Sequence, residues 1–142
     1  MRLLVDTNIF LRLSFEPERL PRFMRNAFDL ADVVLLSAAS AWEIAIKVSI
    51  GKLKLPLAAA EFVPSRMAHF GIESLPVDVK HATAVETLPF HHRDPFDRLL
   101  IAQTAIEGLT MVTADKLFSR YGIRILNAQM LRANVEGGSV SP

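Results

Sequence analysis

The sequence predicts a single α/β domain: a short parallel sheet with helices on both faces. Three observations lead there. Apolar runs of four or five residues, rich in Val, Ile and Leu, recur at residues 2–5, 33–37, 72–76, 110–113 and 123–126, as in strands covered on both sides. Helix-patterned segments alternate with them, which argues for crossovers between parallel strands. Glycines stand just beyond several of those segments, where a left-handed residue commonly ends a helix.

Taken in order, Arg2-Leu3-Leu4-Val5 forms the first strand and Asp6 ends it. A helix is expected from near Ile9, with Asn8 able to cap it and free Asp6. Residues 18–30 place Leu20, Phe23, Met24, Ala27 and Phe28 at helical spacing. Helices are expected at residues 39–50, stopping at Gly51, and at 57–70, stopping at Gly71. Two more are expected at 77–88, before Pro89, and at 95–107, before Gly108. The expected division is a domain over residues 1–132 and a flexible Gly/Ser-rich tail over 133–142.

A chain of 142 residues with 51% hydrophobic content is large enough to bury a core. No apolar run approaches the roughly 18 residues of a membrane span, so a cytoplasmic location is expected. The absence of cysteine excludes disulfides and thiolate metal sites. None of the four histidines has the spacing of a zinc helix. A net charge of +1 neither demands nor excludes nucleic acid.

Asp6, Glu43, Asp97 and Asp115 each follow a strand or open a helix, and the carboxyl ends of parallel strands share one crevice. Each acid has a plain structural explanation. Asp6 suits an N-cap. Ser40-Ala41-Trp42-Glu43 fits a capping box, and Glu43 is spaced to pair with Lys47. Asp94 caps the helix that Pro95 begins, which leaves Asp97 as a surplus acid in the first turn. Asp115 suits an Asx turn, with Thr113 competing for that role. Four such coincidences at one sheet edge are less economical than a cation site. Carboxylate oxygens are the ligand set of Mg²⁺ or Mn²⁺, so the residues point to metal-assisted phosphoryl chemistry. No Gly-rich phosphate loop is present. Asn8 stands where a phospho-aspartyl mechanism would place a second Asp.

The segments Leu3-Leu4-Val5-Asp6-Thr7-Asn8, Ser40-Ala41-Trp42-Glu43-Ile44, His92-Arg93-Asp94-Pro95-Phe96-Asp97-Arg98-Leu99-Leu100-Ile101-Ala102-Gln103 and Val112-Thr113-Ala114-Asp115 resemble the PIN-domain ribonucleases, above all the VapC-type toxins of toxin–antitoxin systems. The likeness runs over residues 1–126, and the block around Asp94 is its most specific part. It implies a three-layer α/β/α domain and an Mg²⁺- or Mn²⁺-dependent endoribonuclease. The implied quartet is Asp6, Glu43, Asp97 and Asp115, with Asp6 and Asp97 on the metal. Thr7, Asn8 and Thr113 match supporting positions. Thr104 stands where this subgroup commonly has Ala.

The resemblance also implies an RNA substrate, a homodimer and a cognate antitoxin clamping an apolar groove, for which residues 10–28 are the candidate surface. Lys47, Arg98 and Lys116, the cations nearest the acids, are expected to track RNA phosphates. Trp42 is expected in the core. His81, His91 and His92 are expected to be structural. Two alternatives stand beside the toxin: a nuclease outside any toxin pair, and a scaffold that binds RNA or protein without catalysis.

Overall fold

The computed structural model describes residues 1–127. All five expected strands are present: β1 (Arg2–Val5), β2 (Val33–Ser37), β3 (Ile72–Leu75), β4 (Thr110–Thr113) and β5 (Arg124–Asn127). They form one sheet in the order β3-β2-β1-β4-β5, and every pairing is parallel. Leu4 is in register with Leu35 on one side and Met111 on the other.

Alternate strand residues face opposite layers, as the period of two requires. Leu3, Val5, Val34, Leu36 and Val112 share one core cluster with Ile9, Phe10, Ile44 and Phe62. Leu4, Leu35 and Met111 share the other with Leu100, Ile101 and Phe118. The helices behind these contacts are α1 (Thr7–Phe15), α2 (Arg22–Leu30), α3 (Ala38–Ser49) and α4 (Ala59–Phe70) on the first face. On the second lies α6 (Pro95–Glu107), preceded by the short α5 (Val79–Ala84). This is the expected three-layer α/β/α arrangement.

The helix expected over residues 18–30 is divided. A 3-10 turn, Pro17–Arg19, precedes α2, which begins only after Pro21. Proline disfavours helical geometry in the residue before it, here Leu20. The helix expected over 77–88 shortens to α5 and a 3-10 turn, Val85–Thr87. Gly71 and Gly108 close α4 and α6 at φ 67° and 63°, left-handed conformations that favour glycine. No described helix is long and apolar enough to cross a membrane. The expected boundary at residue 132 and the tail over 133–142 lie outside the described residues.

The strand order reverses at β1. The chain moves outward through β2 and β3, then returns to lay β4 on the other side of β1. Such a reversal opens a crevice at the carboxyl ends of the two central strands. Asp6 follows β1 there, and Asp115 lies two residues beyond β4.

Candidate active site

Asp6 is 6% exposed and uses both carboxylate oxygens. One accepts the Ile9 N–H at 2.7 Å and caps α1; the other accepts the Thr113 hydroxyl. Asp6 is therefore cap and crevice acid at once. Asn8 does not release it from capping; Asn8 is exposed. Thr113 also accepts the Asp115 N–H at 3.0 Å, so one buried hydroxyl ties the end of β4 to the acid after β1. Thr7 donates to the Ser40 hydroxyl at 2.9 Å and joins α1 to α3 instead of bonding an acid.

The capping box expected at Ser40 does not form. Ser37, the last residue of β2, caps α3 by accepting the Ala39 N–H at 3.0 Å. Glu43 is thereby one turn further into the helix. It is buried and pairs with Lys47 at 2.8 Å, the expected contact one turn on. That bond raises the pKa of Lys47. Asp94 caps α6 as expected, accepting the Phe96 N–H at 2.8 Å, and leaves the Asp97 carboxylate free of capping.

The four acids converge. Burial, then Asp94, Glu43 and Asp6, push the Asp97 pKa up to about 7, while His92 opposes the rise. Burial is also the main cause that raises Asp6 to about 6; Asp115 adds to it, and the bonds from Thr113 and Ile9 and the charge of Arg12 oppose it. Ligand-capable atoms of His92, Asp97 and Asp115 lie within 4.8 Å of one another. Acids this close, two of them hard to ionise, suit a divalent cation, which favours the ionised forms. Their hard oxygen donors fit Mg²⁺ or Mn²⁺.

A family model described as "PIN domain" matches residues 3–124. The chain belongs to the PIN domain family. It is similar to ribonuclease VapC16 of Mycobacterium tuberculosis, at 44% identity over 73 residues, covering 46% of this chain and 52% of that protein. The chain thus spans about half the length of that relative. Ribonuclease VapC22 of the same organism is 27% identical over 113 residues, covering 80% of this chain and 86% of its own. Among solved structures, VapBC2 from Rickettsia felis, bound to a promoter DNA fragment, superposes with a TM-score of 0.69 at 19% identity. That match covers 89% of this chain and 98% of the other. VapC20 of M. tuberculosis, a sarcin-ricin loop cleaving toxin, superposes at 0.59 and 14% identity over 85% and 95% of the two chains. At these identities the structural matches establish the PIN fold.

Around the acids of this PIN domain, two expectations need correction and a third residue makes a contact that was not foreseen. Arg98 is 7% exposed and does not face solvent. Its guanidinium donates to the carbonyls of Val85, Pro89 and Leu88 at 2.9–3.2 Å, and to that of His92 at 3.5 Å. It also lies 4.2 Å from the centre of the Phe90 ring. Its donors are spent on the loop before α6, so it is not a phosphate contact. Trp42 is 62% exposed, edge-on to Phe96, and not in the core. His92, expected to be structural, is buried and also bonds an acid of the quartet: Nε2 meets Asp115 Oδ2 at 2.7 Å. Residues 92 and 115 are far apart in sequence, and no local pattern signals that contact. Lys116 is exposed and Lys47 half-buried. His81 spans from the Asp78 N–H to Glu107 and is structural.

Proposed function

We propose that this PIN domain is a divalent-metal-dependent endoribonuclease, the toxin of a toxin–antitoxin pair acting in the cytoplasm. The observation that carries the reading is the convergence of Asp6, Glu43, Asp97 and Asp115 from four separate elements onto one sheet edge, with Asp6 and Asp97 raised to about 6 and about 7. The similarity to ribonucleases VapC16 and VapC22 supports RNA as the substrate.

Asp6 and Asp97 would hold Mg²⁺ or Mn²⁺. Bound there, the cation supplies Lewis acidity for phosphoryl oxygens and lowers the pKa of a water. Glu43 and Asp115 would complete the shell around the cation or orient the attacking water. Thr113 holds the Asp6 carboxylate in one orientation. The water oxygen would bond to phosphorus in line, its proton passing to a carboxylate of the quartet, as the bond from phosphorus to the ribose oxygen breaks and that oxygen takes up a proton from solvent. Lys47 and Lys116 receive the flanking phosphates.

The solved VapBC complexes support an antitoxin partner. The candidate dock is a cavity of about 510 Å³ beside α1 and α2, lined by Leu13, Phe28, Arg22 and Arg25 among others. The exposed Trp42 on α3 and Ile50, the residue that ends it, supply an apolar surface for a homodimer.

The test is digestion of total RNA by the purified chain with Mg²⁺, Mn²⁺ or EDTA, beside Asp97→Asn. Discrete fragments that need metal and vanish in the variant are expected. Absence of cleavage under either metal, with the variant indistinguishable, favours a binding scaffold.

A further inference from the structure

We infer that His92 is a positioning residue for Asp115, delivered to it by the loop that Arg98 clamps. The inference rests on the nuclease reading of the quartet, and it adds a residue outside that quartet. His92 is 8% exposed, with Phe118 and Tyr121 rings 4.7 and 5.5 Å away. Both its nitrogens are engaged: Nε2 with Asp115 Oδ2 at 2.7 Å, Nδ1 with the Tyr121 hydroxyl at 3.0 Å. A carboxylate only accepts, so Nε2 carries the proton. In the neutral ring Nδ1 then accepts from Tyr121, which fixes the tautomer.

Asp115 needs such a partner for direction and not for satisfaction. Its side chain is 39% exposed, so water can solvate it. The net stabilisation from one bond to a half-exposed acid is small. Without His92 the carboxylate is held only through Oδ1, which accepts the Leu117 N–H at 2.9 Å. With both oxygens bonded, its plane is set. Each oxygen keeps a lone pair for a cation or a water. Histidine–carboxylate bonds around metal sites act in this way, and losing them typically weakens metal affinity 10–100-fold.

The loop also fits this role. Arg98 bonds the carbonyls of Leu88 and Pro89 and reaches that of His92, so the imidazole is carried on fixed backbone. His92 thus connects the segment before α6, which bears Asp97, to the turn after β4, which bears Asp115.

The test is calorimetric titration of Mn²⁺ into the full chain and into His92→Leu, His92→Gln and Tyr121→Phe, with the unfolding midpoint of each measured without metal. His92→Leu is expected to weaken Mn²⁺ binding about tenfold or more. His92→Gln, which keeps an N–H donor, is expected to recover part of the loss, and Tyr121→Phe to lose a few-fold. A lowered midpoint with unchanged Mn²⁺ affinity makes His92 a packing residue and overturns the inference. Equal loss in the Leu and Gln variants makes it a ligand and also overturns it. A wild-type chain that binds no Mn²⁺ overturns the nuclease reading itself. Unchanged binding in His92→Leu overturns only the positioning role.

Discussion

Replacing Asp6 with Asn should stabilise the metal-free protein while abolishing cleavage. The substitution removes the charge and keeps the cap. Asn is as good an N-cap as Asp, so its oxygen still accepts the Ile9 N–H. Its amide reverses the other bond by donating to the Thr113 hydroxyl, whose own proton loses Asp6 as acceptor, a cost that offsets part of the gain at every pH. What disappears is a buried carboxylate whose pKa has risen from 3.8 to about 6. A raised acid binds more protons folded than unfolded, so its destabilisation grows as pH climbs from the unfolded to the folded value. It is complete above about 6. At 1.36 kcal/mol per pKa unit, ionised Asp6 destabilises the fold by roughly 3 kcal/mol at pH 8, about half that near pH 5, and almost nothing at pH 3. Thermal unfolding in EDTA should therefore show Asp6→Asn melting several degrees higher at pH 8, with the gap closing as pH falls. Mn²⁺ should raise the wild-type midpoint and leave the variant's almost unmoved. A variant less stable than wild type at pH 8, or a gap that ignores pH, would refute the claim that crowded charge at Asp6 is held at a cost to the fold.

Three further outcomes follow from the same structure. Mn²⁺ affinity should rise steeply between about pH 5.5 and pH 8, because Asp6 and Asp97 must lose protons near 6 and 7 to bind it; a flat calorimetric profile contradicts this. Arg98→Ala should lower stability by about 3 kcal/mol or more, read from the urea midpoint, because it breaks a buried network of carbonyl bonds. Arg98→Lys should recover little, since an ammonium lacks the planar fork. Trp42→Ser should leave monomer stability within about 0.5 kcal/mol, as its exposure requires, while sedimentation shows weaker self-association; an unchanged dimer excludes this face as the interface.

The sheet was legible because parallel strands buried on both faces read as short apolar runs, and all five runs lie within a residue of the observed strands. Helix ends marked by Gly71, Gly108 and the Asp94-Pro95 pair were legible for the same local reason. Local signals misled where two candidates lay close together. Ser37 and Ser40 are three residues apart, and the serine ending the strand takes the cap. Asp6 and Asn8 compete likewise, and Asp6 holds the cap without giving up the crevice. Periodicity counts Trp42 as apolar and Arg98 as polar. It cannot say that the first lies exposed with its ring edge-on to Phe96, or that the second meets several backbone carbonyls between Val85 and His92. The bonds of Thr113 to Asp6 and of His92 to Asp115 depend on β4 lying beside β1, which no stretch of sequence displays by itself.

That adjacency has a temporal side. Asp6 and Thr113 are 107 residues apart, and β4 joins the open edge of β1 after β2 and β3 have been synthesised. A chain emerging from the ribosome carries Asp6 long before Thr113. Until residues 97–115 have been synthesised, however, Asp6 lacks its buried hydroxyl partner and Asp97 and Asp115 are missing. β2 can pair with β1 early, and β3 with β2, but the crevice has only one wall. On the nuclease reading, the site would thus stay incomplete on the ribosome until β4 and the turn that bears Asp115 have emerged.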